Sequence, residues 1–236
     1  MFWVVLQNVI TYSVTMADSL MLGAYDQDAL SGAAAVNMIQ FIFQNIVVPL
    51  AEGAVIIGSQ YWAKKLMDPV RNVIWIALKI TFATGLLLFV ATSLFPGGIL
   101  SLFTTDAGIS AYGQDYLYLI RFTYPLYAIT YTLIAATNIA GKARYSFITS
   151  GIALITNVAI NYTLIFGNFG APELGIKGAA IGTIVSRVVE LVLLILIHAF
   201  RIPDLKLFTK SALRTDRALL IDYIKLTWKM LLSGLL

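Results

Sequence analysis

The residues that could do chemistry are few, and most lie inside long apolar runs. Asp18 sits in Thr15-Met16-Ala17-Asp18-Ser19-Leu20-Met21. A charge at the centre of a bilayer costs about 2.5–3.5 kcal/mol on insertion scales and usually marks a function. Two readings of Asp18 stand: an interfacial carboxylate just below the outer headgroups, or a lumen-facing group that takes a proton, Na⁺ or an organic cation. Asn157 and Asn161 are four apart and share one helical face. Such amides tie membrane helices together at roughly 0.6–2 kcal/mol each. In register they also offer neutral oxygens to a cation, or donors to a nearby carboxylate. Glu52 is either a cavity group or an inner-interface group on the Lys64 side of its run. Arg121, four residues before Pro125, snorkels to the outer interface or lines the cavity. Arg187 and Glu190, three apart, can pair on one face, and His198 reads as interfacial.

Much chemistry is excluded. There is no cysteine, so disulfides, thiol catalysis and cysteine metal sites are ruled out, and the single histidine leaves no histidine cluster. No Gly-rich loop ending in Lys-Ser/Thr is present for ATP. No catalytic constellation appears, and the chain is expected to be no enzyme. The start lacks the basic region and small-residue site of a cleavable signal.

The elements that position these residues follow from composition. Apolar residues make up 59% of the chain and charged residues 12%, against about 25% charged in soluble domains. The mean hydropathy is +0.85. A spanning helix needs about 20 predominantly apolar residues. Six runs qualify: 1–23, 32–59, 73–95, 116–140, 146–166 and 179–200, and a seventh begins near Leu219. They are continuous, which favours helices over the alternating strands of a barrel. The net charge of +4 comes from bases set in short gaps, not on one polar face, so no nucleic-acid partner is expected. Lys64, Lys65 and Arg71 fill the second gap, Lys142 and Arg144 the fourth. Arg201, Lys206, Lys210, Arg214 and Arg217 come after the sixth run. The intervening gaps hold almost no base. By the excess of base in cytoplasmic loops, the N-terminus and the ends of the even runs lie inside. The apolar sequence at both termini is expected to mark a fragment. Residues 1–200 form a six-helix lobe, 201–218 a cytoplasmic linker and 219–236 the start of a second lobe, as in transporters built from two repeats.

Three stretches carry a family resemblance. They are Asp18-Ser-Leu-Met-Leu-Gly23, Gly58-Ser-Gln-Tyr-Trp-Ala-Lys-Lys65, and the long string from Asn157-Val-Ala-Ile-Asn161 through Gly167, Gly170, Pro172, Glu173, Gly175 and Gly178 to Thr183. The chain resembles the MATE (multidrug and toxic compound extrusion) transporters over its whole length, as their N-terminal lobe plus the start of helix seven. Ala63 departs from the usual Gly. The resemblance implies an all-α integral membrane protein of twelve helices in two lobes. It implies export of cationic, lipophilic drugs in exchange for Na⁺ or H⁺, with no other cofactor. The site residues it implies are Asp18, which binds Na⁺ if sodium drives transport, with Asn157 and Asn161. Asn161 occupies a place that is Asp in some members and Asn in others, and the missing second carboxylate puts a two-carboxylate proton site in doubt. Thr183, Glu52 and Arg121 are further cavity candidates, and Glu52 matches no family role.

The expectation is a secondary antiporter in the bacterial cytoplasmic membrane, with small organic cations as substrates. Its aromatic content of 12% suits a cleft for flat cations through cation–π contacts. One alternative is a flippase of the same superfamily for a lipid-linked saccharide. It would need several cavity bases, and only Arg121 and Arg187 are candidates. The other is a non-transporting membrane subunit.

Overall fold

A computed structural model describes residues 2–207 and 216–235, and it is helical throughout. The helices are α1 (Phe2–Tyr25), α2 (Gln27–Ala63), α3 (Met67–Leu94), α4 (Pro96–Leu100), α5 (Ala107–Ile120), α6 (Thr123–Ile139), α7 (Ala143–Ile165), α8 (Ile176–Phe200) and α9 (Arg217–Leu235). Four of them, α2, α3, α7 and α8, are each long and apolar enough to cross a membrane. α1 has comparable length, with Gln7, Asn8 and Asp18 interrupting its apolar sequence.

Acids in the gaps serve as caps. Asp26 accepts from the Ala29 amide (2.8 Å) to start α2, and Asp106 accepts from Gly108 and Ile109 (2.8 and 3.0 Å) to start α5. Each meets an amide that would otherwise lack a partner in a helix's first turn.

The fourth expected span is corrected. Instead of one helix over 116–140, the chain breaks at Arg121 and Phe122, so α5 and α6 meet end to end. Pro125 explains the break. It has no amide hydrogen, and its ring clashes with the carbonyl four residues back, that of Arg121. Arg121 caps the end of α5. The backbone there is approached closely by α3, where a Cβ on Gly85 would lie 2.8 Å from the Tyr124 carbonyl oxygen.

Two buried clusters hold the bundle. One joins α1, α2, α5, α6 and α8 around Leu22, Val36, Phe43, Leu117 and Tyr124. The other joins α2, α3, α6, α8 and α9 around Val73, Ile76, Leu133, Leu194 and Tyr223. Phe2, Leu87, Leu94, Ile155 and Phe200 instead point outward, as expected where lipid is the solvent.

The gaps rich in base gather at one end of the bundle. Arg71 Nε donates to the Leu205 carbonyl (2.7 Å), Trp75 Nε1 to that of Leu207 (2.8 Å), and Lys142 Nζ to that of Arg201. At the other end Lys177 pairs with Asp115 (3.1 Å), and Tyr25 lies against Gly175. Lys210 and Arg214 lie outside the described residues.

Candidate functional site

Asp18 lies in the second half of α1 and is 5% exposed. It faces α7 and α8, which run side by side. Asn161 Nδ2 donates to Asp18 Oδ1 (2.5 Å) and to Asn157 Oδ1 (3.3 Å). Asn157 Nδ2 donates to Thr183 Oγ1 (3.3 Å), and Thr183 Oγ1 donates to Asp18 Oδ2 (3.1 Å). The four side chains thus close a ring. Both carboxylate oxygens are acceptors within it, and both amide hydrogens of Asn161 are committed. Asn161 Oδ1 is left buried and without a partner among the described residues.

Glycines make the ring reachable. A Cβ on Gly182 would collide with Asn161 Oδ1, and one on Gly178 would stand 2.7 Å from the Leu164 backbone. Any larger residue at either position would push α8 off α7. Gly167, Gly170 and Gly175 have φ of 67°, 80° and 51° in the loop between the two helices, a region where only glycine is free of strain.

Tyr116 was not anticipated. From α5 its phenol is buried beside Asp18 and Thr183, adding a fourth helix to the surroundings of the ring. A tyrosine near a span's start reads as interfacial, so the sequence carried no signal for it.

Arg187 and Glu190 form the expected pair (2.8 Å). Ser150 Oγ on α7 donates to the other Glu190 oxygen (2.7 Å), and the Arg187 guanidinium lies 5.3 Å from the Tyr127 ring centre. Arg121 is apart from the ring, stacked 4.3 Å from the centre of Tyr118 and 5.4 Å from that of Phe122. His198 lies in the last turn of α8 and is buried, with Nδ1 against the Leu194 carbonyl oxygen (2.9 Å).

Glu52 does not join the ring either. It is exposed on α2, three residues after Pro49, at a hollow of about 150 Å³ between α1, α2 and α6. Asp18 and Glu52 therefore occupy different places: one sealed among helices, one at an open wall.

The oxygens around Asp18 are hard donors of the kind that suit Na⁺. One carboxylate among neutral oxygens balances one positive charge. The described residues hold no group of three or more His, Cys, Asp or Glu side chains placed for a metal ion.

Helices apolar on the outside, with polar side chains turned inward and basic turns at one end, define a polytopic membrane bundle. A sequence model of the MatE family matches residues 4–163, and the chain belongs to that family, whose members are transporters and not enzymes. Among its relatives is a probable multidrug resistance protein NorM of Thermotoga maritima, 29% identical over 184 residues, which cover 78% of this chain and 39% of the relative. Another is a probable multidrug resistance protein YoeA of Bacillus subtilis, 26% identical over 225 residues, covering 94% and 48%. A MATE crystal structure in the bent conformation superposes with a TM-score of 0.87 at 13% identity, over 98% of this chain and 50% of the other. An outward-facing multidrug resistance MATE transporter of the MOP superfamily gives 0.82 at 14%, again over 98% and 50%. At such identities the structures speak for the fold alone. The chain spans about half the length of the relatives it matches.

Proposed function

We propose that this chain is one lobe of a secondary antiporter that exports small organic cations or drugs in exchange for Na⁺ or H⁺. In this reading residues 1–200 form the lobe, 201–218 are its cytoplasmic linker, and 219–236 begin a second lobe. The setting is a bacterial cytoplasmic membrane with the N-terminus inside. Support for that orientation comes from the gathered basic turns, through the positive-inside rule.

The observation that carries the reading is the closed ring on Asp18. A deprotonated Asp18 is what two converging donors require. Protonated, Asp18 becomes a donor itself, so either the Thr183 hydroxyl reverses from donor to acceptor or the Asn161 amide turns away. Each sits on a different helix, so the protonation state of α1 is felt as a change in how α7 and α8 pack. With Na⁺ the oxygens of Asp18, Asn157, Asn161 and Thr183 would hold the ion, and Asn161 Oδ1 already lacks a donor. Ion and drug need only opposite preferences for the two packings, since a ligand shifts an equilibrium by its differential affinity.

The basic residues speak against the flippase. Arg187 is matched by Glu190 and Arg121 is stacked on aromatic rings, so neither is presented to a pyrophosphate beside Asp18.

The test uses the native reading frame in a bacterium stripped of its efflux pumps. Cells preloaded with a fluorescent organic cation should lose it, and Asp18→Asn should abolish that loss. Stepping Na⁺ and pH separately names the coupling ion. Efflux that persists unchanged in the Asp18→Asn protein would refute the assignment.

A further inference from the structure

Two turns far apart in sequence bring bases together at one end of the bundle. α6 ends with Gly141 at φ 68°, a left-handed conformation that suits glycine. The Gly141 amide donates to the Asn138 carbonyl (3.0 Å) and the Lys142 amide to that of Thr137 (3.1 Å). This pair of bonds closes the helix and fixes where Lys142 leaves it. Lys142 Nζ then reaches the Arg201 carbonyl, where α8 ends. Arg144 follows on the first turn of α7. It donates to the Tyr145 hydroxyl (3.2 Å), and its guanidinium carbon lies 4.9 Å from the Tyr145 ring centre. The Lys142 and Arg201 charges act on that hydroxyl too.

Three cations thus gather around one phenol. No ion pair answers them among the described residues. Asp68 is taken by Arg71 (2.9 Å), and Asp204, which follows Arg201 in the chain, pairs with none of the three. Topology alone would be served as well by bases standing apart. Held together they repel, and an anion from outside offsets that. The donors suit one. Lys142 spends a single N–H on the Arg201 carbonyl, and Tyr145, accepting from Arg144, keeps its own hydrogen to give.

Beside the cluster the surface is apolar. A shallow hollow of about 530 Å³ lies along Leu193, Leu196, Ile197 and Phe200 of α8 and reaches Arg201. The four apolar positions follow the spacing of one helical stripe, roughly 10 Å long. A free phosphate would use the bases and leave the stripe bare, whereas a phospholipid uses both. A phosphatidylcholine brings a cation of its own to three others, so a headgroup of net negative charge fits better. We propose that Lys142, Arg144, Tyr145 and Arg201 bind the phosphate of an anionic phospholipid, with an acyl chain laid along α8 from Phe200 to Leu193. The bound lipid ties the turn between α6 and α7 to the end of α8.

The experiment is native mass spectrometry of the purified product of the native reading frame. It is titrated in nonionic detergent with dioleoylphosphatidylglycerol, dioleoylphosphatidylcholine and glycerophosphate. The anionic lipid should bind at least about tenfold more tightly than phosphatidylcholine, since each base near a lipid headgroup is worth about fivefold. Glycerophosphate, which has no chain to bury, should bind at least about tenfold more weakly than phosphatidylglycerol. Lys142→Gln, Arg144→Gln and Arg201→Gln together should bring the two lipids within about threefold of each other. Lys64→Gln with Lys65→Gln removes two exposed bases from the same end and should cost no more than about twofold, as screened charges outside the site. Arg144→Glu alone changes an exposed side chain bonded only to its neighbour. It should weaken phosphatidylglycerol by about fivefold or more, and it carries the test if the triple variant does not fold. Equal binding of the two lipids overturns the proposal. So does a loss in the Lys64 and Lys65 variant as large as in the triple one, which would mean surface charge alone. Glycerophosphate binding as tightly as phosphatidylglycerol would make this a free-anion site and overturns it as well.

Discussion

Asp18 and Glu52 are both single carboxylates in apolar helices, and their surroundings are opposite. Asp18 is sealed, with each oxygen met by a donor from a neighbouring helix. Glu52 is exposed beside a hollow between α1, α2 and α6. The contrast separates two uses of one functional group. Where donors converge, the acid is tied to its neighbours, and a change in its charge must disturb them. Where no donor reaches it, the acid can change its charge without disturbing a neighbour.

That contrast can be tested through stability, since the sealed region should be brittle and the open wall tolerant. The largest effect is expected at the buried ion pair on the sealed side. Glu190→Ala would strand the Arg187 charge and should destabilise by about 3–5 kcal/mol, read as a shift in an SDS unfolding titration. Asp18→Ala comes next, because the Asn161 and Thr183 donors would lose their acceptor; about 1–3 kcal/mol is expected by the same titration. Gly182→Ala should cost a similar 1–3 kcal/mol or so through overpacking, and should also lower efflux, since the added Cβ falls on Asn161. At the open wall, Glu52→Gln should change stability by no more than about 0.5 kcal/mol. If it matched the Asp18→Ala loss, the distinction between the two carboxylates would fail.

Much of the bundle was legible in the sequence because membrane spans announce themselves by length and apolarity alone. The pairing of Arg187 with Glu190 and the shared face of Asn157 and Asn161 were legible too, since i,i+3 and i,i+4 spacings are settled within one helix. The break at Arg121 was harder to see. Apolarity runs straight through it, and only Pro125 hints at the carbonyl it displaces. The ring on Asp18 depends on residues 143 and 165 positions away in sequence. Spacing says nothing about such meetings. Their local trace was the run of glycines from Gly175 to Gly182, legible as permission for close approach but not as a statement of what approaches. Tyr116 left no trace, because its burial comes from the packing of α5 against α8. The burial of His198 was not legible for a related reason: position near a span's end does not tell which side of the helix meets a neighbour.

The clasp at the basic end bears on what holds the last helix in place. α9 makes contacts of its own with α2. Tyr223 Oη donates to the Leu50 carbonyl (2.5 Å), and the Thr227 methyl fits where Gly53 has no side chain. Asn72 Oδ1 accepts from the Asp216 amide (3.1 Å), while Arg71 and Trp75 hold the backbone that leaves α8. The seat of Tyr223 and Thr227 on α2 predicts that docking survives a break between Leu207 and Asp216. A protein cut there, or made as two separately translated pieces, should still carry α9 seated on α2.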